Sequence, residues 1–332
     1  MNWLENFRII KVEITSYCNA ACPGCIRNIT GGKTVNNLDL EHMSLDLWKR
    51  IMYNDTSNME LEEVSFDGTI GDFCMNPDAI KFVEIVNSSH PLTNININTN
   101  GGARNEKFWS ELGTQLAGKP HIVNFAIDGL EDTHHIHRRN TTYNVVVRNM
   151  KAFIAAGGQA NWVYTLFDHN THQVEEARQR SIDYKCDGWE VRQSCIDGSS
   201  MYTSTKNDQY TIGTDTIRNL PETKEQLNTT NFVGMKTQSA TSGHACTAFN
   251  ERTIQIDFRG VLWPCSYIYA EEVLGSTRIS PFFNETNHPV DQLRLATYTL
   301  EEILTGELFV NTVDTAVSNA EWAVCKRNCA IK

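Results

Sequence analysis

The sequence predicts an α/β fold built on a parallel sheet, and two observations carry that prediction. Six short runs rich in β-branched and aromatic residues alternate with helical segments between Phe7 and Arg192. Strands joined through helices in this way need crossover connections, which make neighbouring strands parallel and the crossovers right-handed. The length, 332 residues, suits one domain of about 200 residues followed by a smaller one. Six strand–helix units fit a doubly wound sheet or a partial barrel, and the pattern alone does not choose between them.

The first strand is predicted over residues 7–15 from its β-branched content and near alternation. A helix follows, with Ser44 as N-cap and Leu45, Trp48, Ile51 and Met52 on one face. Val64-Ser65-Phe66 forms the second strand. Asn76-Pro77 opens the next helix, Asn as cap and Pro at the first position. Ile80, Val83 and Val86 give it an apolar face. Residues 95–98 form the third strand, before a helix bearing Phe108, Trp109, Leu112 and Leu116. Residues 122–127 form the fourth; the helix over 143–156 is stopped by Gly157-Gly158. Residues 161–167 form the fifth strand, 174–184 a helix, and 189–192 the sixth strand. From 196 to 243 Ser, Thr, Asn, Gln and Lys dominate and apolar periodicity fades, which predicts a polar linker or a lid.

Composition excludes several classes. A net charge of −11 disfavours binding to nucleic acid or to an anionic membrane. No run approaches the roughly 18 apolar residues of a membrane span. The opening residues Met1-Asn2-Trp3-Leu4-Glu5-Asn6 lack the regions of a signal peptide. Ten cysteines without a secretion signal read as metal or redox ligands in a reducing cytoplasm, not as disulfides.

The first strand delivers Cys18-Asn19-Ala20-Ala21-Cys22-Pro23-Gly24-Cys25 at its C-terminal end. Spacings this tight let one loop wrap around a single inorganic centre. The nearest histidine in sequence is His42, so no fourth ligand lies close by. A structural zinc site takes four protein ligands. Three thiolates with a missing fourth fit a cubane iron–sulfur cluster with one iron left open; buried or zinc-bound cysteines are the plainer alternative.

This Cys-x3-Cys-x2-Cys loop after a first strand resembles the hallmark of the radical S-adenosylmethionine (radical SAM) superfamily. The resemblance implies a partial (β/α)6 TIM-like barrel, open at one side, with chemistry at the C-terminal ends of the strands. It implies a 4Fe–4S cluster on Cys18, Cys22 and Cys25, whose open iron binds S-adenosylmethionine. Reductive cleavage then gives a 5′-deoxyadenosyl radical that abstracts hydrogen from a substrate. An electron donor such as flavodoxin or ferredoxin belongs with that chemistry.

The same resemblance assigns further cofactor residues. Gly68, Gly71 and Asp72, after the second strand, stand where relatives carry a Gly-Gly-Glu-type motif for the methionyl amino group. An Asp there serves the same end, since an ammonium needs an acceptor and a charge partner. Asn100, after the third strand, lines the cofactor pocket in similar sequences, or belongs to a plain polar turn. Asp128 begins an Asp-Gly step after the fourth strand, and Arg139, with Arg138 as the alternative, pairs with the methionyl carboxylate. His134, His135 and His137 read as a solvated helix face. Asn170, after the fifth strand, matches a polar position near the ribose.

A second constellation comprises Cys246, Gly260, Cys265, Cys325 and Cys329. Residues 253–257 and 261–263 predict a hairpin turning at Arg259-Gly260. Thr299-Leu300-Glu301-Glu302 has capping-box form. The Cys-x13-Gly-x4-Cys element and the terminal Cys-x3-Cys resemble the SPASM and twitch auxiliary-cluster extensions. A full SPASM domain has cysteines where this chain has Ala316 and Asn319, which implies the shorter twitch-like form with one auxiliary 4Fe–4S cluster. Four cysteines also suit structural zinc. The predicted organisation is a radical SAM core over 1–195, a linker or lid over 196–243, and a small α+β auxiliary domain over 244–332.

The substrate class implied is a peptide or protein modified by oxidation, crosslinking or epimerisation. Dehydrogenation of a small alcohol is the second reading, and a noncatalytic iron–sulfur or zinc scaffold the third. Sulfatase-maturing relatives carry Asp directly after the second cysteine of Gly-x4-Cys; Ser266 stands there in this chain, which argues against formylglycine formation. Cys195, Asp197 and Asp257 are the candidate catalytic residues.

Overall fold

Alternation of apolar residues makes β1 (Ile9–Val12) two-faced, with Ile10 and Val12 fully buried on one side. The computed structural model describes residues 2–29, 33–34, 38–193, 201–203, 209–211, 246–273 and 290–313. In chain order β1 is followed by α1 (Leu45–Arg50), β2 (Glu63–Phe66), α2 (Ala79–Ser89), β3 (Asn94–Thr99) and α3 (Glu106–Leu116). Then come β4 (Ile122–Ala126), α4 (Tyr143–Ala155), β5 (Gln159–Leu166), α5 (Val174–Asp183) and β6 (Gly188–Gln193). The C-terminal part adds β7 (Thr253–Ile256), β8 (Leu262–Trp263), α6 (Ser266–Val273) and α7 (Leu300–Thr305). The six predicted strands and the five helices between them are all present. The chain is α/β, with the strand–helix alternation of a partial (β/α)6 barrel.

One compact unit gathers the described residues of 1–17, 37–95 and 237–332. Its strand order is β8-β7-β1-β2. β1 runs parallel to β2, with Val12 opposite Phe66, and parallel to β7, with Val12 opposite Ile256. β8 returns antiparallel to β7, so the predicted hairpin forms. It joins the sheet beside β1, and the described residues from Cys246 onward cluster with the N-terminal strands. The physical reason lies in β7, whose four residues are all buried, as a strand covered on both faces requires. Gly260 turns the hairpin at φ 74°, and a Cβ there would lie 2.5 Å from Leu47 on α1. Trp48, Phe66, Phe73 and Phe82 fill the core. Thr299 and Glu302 form the predicted capping box on α7. α2 starts later than expected, at Ala79. Asn76 is not its N-cap; its amide donates to the Ile14 carbonyl at 2.8 Å and accepts from the Asp78 N–H.

The other unit gathers the described residues of 18–36 and 96–236. From residue 96 onward β3 pairs in parallel with β4, β4 with β5, and β5 with β6. Trp109, Phe125 and Phe153 pack under α3 and α4, with ring centroids 5.1 and 5.8 Å apart along the row. Trp162, Tyr164 and Trp189 continue the core. Within the predicted linker, Met201–Thr203 and Gln209–Thr211 form a short antiparallel ladder. Among the described residues, no helix is long and apolar enough to cross a membrane.

Candidate active site

The end of β1 and the turn after β2 are built as one piece. The Asp67 N–H donates to the Val12 carbonyl at 3.0 Å, and the Asp72 N–H to the Tyr17 carbonyl at 2.8 Å. Between them, Ile70 and Gly71 donate their N–H groups to the two carboxyl oxygens of Glu13, at 2.8 and 3.2 Å. Gly71 has no alternative, because a Cβ would lie 1.9 Å from the Thr15 carbonyl oxygen. Asp72 is buried and accepts from the Cys74 N–H at 3.1 Å, which fixes its carboxylate. Gly68 is exposed. The turn is therefore clamped to the residues directly before Cys18.

In the other unit, the cysteine loop folds on its own backbone and on the segment after β4. The Cys25 N–H donates to the Cys22 carbonyl, and the Ala21 N–H to the Arg139 carbonyl at 3.0 Å. Asn100 donates through Nδ2 to the Cys18 sulfur at 3.7 Å and to Asn19 at 3.0 Å. Its own carbonyl oxygen accepts from Gly102 N–H. Arg138 donates to the Cys22 sulfur at 3.9 Å and to Asp128 Oδ2 at 2.6 Å. His137 Nδ1 also contacts Asp128 Oδ2, at 2.8 Å, and the Thr165 N–H donates to Oδ1. Burial opposes ionisation of Asp128, but Arg138 and His137 outweigh it and hold the carboxyl well below the usual carboxylate range. Burial pushes the Cys22 thiol up to about 11, against the nearby Arg138 charge.

These residues fit an iron–sulfur cluster. The donors are three cysteines in one loop, and two of the sulfurs already receive N–H contacts of the kind that tune cluster potentials. A bound cluster takes cysteine as thiolate, which offsets the burial cost that Cys22 carries as a lone group. Among the described residues, no three His, Cys, Asp or Glu side chains are close enough to hold a single metal ion.

The other candidates separate. Arg138 is the arginine whose guanidinium reaches Asp128 and Cys22, whereas Arg139 is tied to the loop through its carbonyl. His134 and His137 are buried, not solvated; burial lowers His134 to about 3. Asn170 is buried, and its amide holds the backbone at Asp128, Thr165 and Phe167, which makes it a brace for the β5 turn. Asp257 is fully buried, and its carboxylate accepts from Arg259, the Trp263 indole and the Val261 N–H. These contacts tie Asp257 to the hairpin turn. Cys246 precedes the helical turn Thr247–Asn250, and Cys265 precedes α6. Cys195, Asp197, Cys325 and Cys329 lie outside the described residues.

Two residues escaped the sequence reading. Glu13 and Tyr269 meet at 3.1 Å, both buried. The available signal was the one acidic residue in the predicted first strand, flanked by Val12 and Ile14 and five residues before the first cysteine.

Comparison with known proteins agrees with this architecture. SuiB of Streptococcus suis bound to S-adenosylmethionine superposes with a TM-score of 0.57 at 15% identity, over 92% of this chain and 68% of that one. SuiB bound to its precursor peptide SuiA gives 0.56 at 14%, over 92% and 66%. The enzyme anSMEcpe with bound AdoMet gives 0.59 at 15%, over 97% and 84%. No curated protein sequence matches the chain. Residues 12–180, which run from the last residue of β1 into α5, match the family model for the radical SAM superfamily. With its cysteine loop, its glycine turn and its strand–helix repeats in that order, this chain belongs to the radical SAM superfamily.

Proposed function

We propose that this enzyme reductively cleaves S-adenosylmethionine and uses the resulting 5′-deoxyadenosyl radical to take hydrogen from a peptide or protein substrate. The observation that carries the cofactor half is the cysteine loop with N–H donors on Cys18 and Cys22. Cys18, Cys22 and Cys25 hold the 4Fe–4S cluster. Asp72 pairs with the methionyl ammonium, and Arg138 or Arg139 with the carboxylate. When bound, the cluster supplies the electron that cleaves the sulfonium; the chain binds, orients and excludes water. Flavodoxin or ferredoxin fits the role of electron donor.

The peptide half rests on the twitch-like cysteine spacing and on two structural neighbours solved with peptides, SuiB with SuiA and anSMEcpe with a Cys-containing peptide. In this reading Cys246, Cys265, Cys325 and Cys329 hold an auxiliary 4Fe–4S cluster that accepts an electron from the substrate radical or ligates the substrate.

The test is anaerobic reconstitution with iron and sulfide, then dithionite and S-adenosylmethionine, with and without candidate precursor peptides. The expected result is 5′-deoxyadenosine by mass spectrometry and a peptide whose mass changes. Turnover of a small alcohol with no peptide product would replace the substrate class. A fully loaded cluster that gives no 5′-deoxyadenosine with any substrate would overturn the radical chemistry.

A further inference from the structure

Glu13 is 1% exposed, and a carboxyl that deeply buried requires partners. Three donors reach it: Ile70 N–H to Oε1 at 2.8 Å, Gly71 N–H to Oε2 at 3.2 Å, and the Tyr269 hydroxyl to Oε2 at 3.1 Å. Two of the three are consecutive amides of the turn that ends in Asp72. The third comes from α6, four residues after Cys265, and Tyr269 is tied back to that cysteine through its N–H on the Cys265 carbonyl at 3.2 Å. Tyr269 is wholly buried, with its ring 6.0 Å from that of Trp263.

The turn has little freedom of its own. Three successive amides, those of Ile70, Gly71 and Asp72, are engaged by Glu13, Glu13 and the Tyr17 carbonyl. The glycine between them is packed against Thr15. Glu13 thus sets where Asp72 stands, and the Tyr269 hydroxyl sets where Glu13 stands. Without that hydroxyl, Oε2 keeps one donor, and the carboxyl is free to turn away from Gly71.

We infer that Glu13 and Tyr269 are positioning residues for S-adenosylmethionine, so that the segment following Cys265 is a working part of the cofactor site. The inference rests on the reading of the Gly68–Asp72 turn as the ammonium site. It gives the C-terminal region a task that needs no electron transfer, since a hydroxyl on α6 holds the carboxyl that holds the turn. Neither residue touches the cofactor; both act through the backbone at Ile70 and Gly71.

The test uses the full chain, anaerobically reconstituted, with two readouts. One is the S-adenosylmethionine dissociation constant by equilibrium dialysis. The other is amide hydrogen exchange at Ile70 and Gly71 by mass spectrometry. Tyr269→Phe is expected to raise the dissociation constant about fivefold, the worth of one hydrogen bond, to speed exchange at both amides, and to leave iron content unchanged. Glu13→Gln keeps one acceptor oxygen, loses the other, and is expected to weaken binding about tenfold. If Glu13→Gln does not fold, Tyr269→Phe decides alone. Wild-type affinity in the variants overturns the inference, even if their unfolding midpoints drop, because a purely structural brace moves only the midpoint. Asp72→Ala separates the two levels. If it binds S-adenosylmethionine like the wild type, the ammonium reading fails. If it binds weakly while the Glu13 and Tyr269 variants bind normally, only the positioning inference fails.

Discussion

Arg138 donates its Nε–H to Asp128 Oδ2 across 2.6 Å, and the same guanidinium reaches the Cys22 sulfur at 3.9 Å. One arginine therefore bridges a fully buried carboxylate and a buried sulfur. Removing one partner of a buried pair leaves the other charge without compensation. Asp128→Asn is expected to destabilise the protein by about 3 kcal/mol in urea denaturation, and to lower the iron retained after reconstitution. An unchanged midpoint would show that Arg138 finds another anion.

Cys22 is the most buried of the three loop cysteines. Cys22→Ala is expected to abolish 5′-deoxyadenosine formation and to lower iron by about four per chain, one cubane. Retained turnover would refute the assignment of this loop to the radical-generating cluster.

Cys265→Ala addresses the C-terminal cysteines. Its expected effect is the loss of about four irons with the first cluster's spectrum intact. Unchanged iron accompanied by bound zinc would assign these cysteines to a structural zinc site.

Asp72 both caps the Cys74 N–H and carries the charge proposed to meet the methionyl ammonium. Asp72→Asn keeps an oxygen for the cap and removes the charge. It is expected to raise the S-adenosylmethionine dissociation constant about tenfold, the worth of a charge-assisted hydrogen bond, with the unfolding midpoint nearly unchanged. Equal affinity in the variant would move the ammonium site elsewhere.

Burial raises the Glu13 pKa from 4.5 to about 8, against the pull of its donors, and Asp67 nearby adds to the rise. Between these values the unfolded chain loses a proton that the folded chain keeps. The folded state is therefore favoured at low pH by this group, and stability falls as pH rises from about 4.5 to about 8. Glu13→Gln is expected to flatten that slope in urea midpoints taken at pH 5 and pH 8. An equal slope in the variant would assign the pH dependence to other groups.

The barrel strands were legible because each is a short run carrying β-branched or aromatic residues, bounded by turns. The cysteine loop was legible because its spacing is chemically restrictive. Asn76 was misread as a helix cap because its real partner, the Ile14 carbonyl, is distant in sequence. Asn170 was offered on the family resemblance and Asp257 on residue type, neither of which announces the partners the fold supplies: backbone at Asp128, Thr165 and Phe167 for Asn170, and an arginine two residues on for Asp257. Glu13 and Tyr269 show the opposite limit. Nothing local in the sequence announces a hydroxyl and a carboxyl that meet only after the chain has come full circle.

The parallel pairing of Ile9 with Thr253 has a consequence for how the protein is made. β1 leaves the ribosome long before its partner β7, since Ile9 and Thr253 lie far apart in the chain. Until β7 emerges, one edge of β1 stays open, and open edges invite pairing with the wrong strand. Contacts this distant in sequence also slow folding, because a long loop must close before they form. The sheet beside β1 is thus completed only once β7 has been made, and a nascent chain halted before β7 is expected to be prone to aggregation.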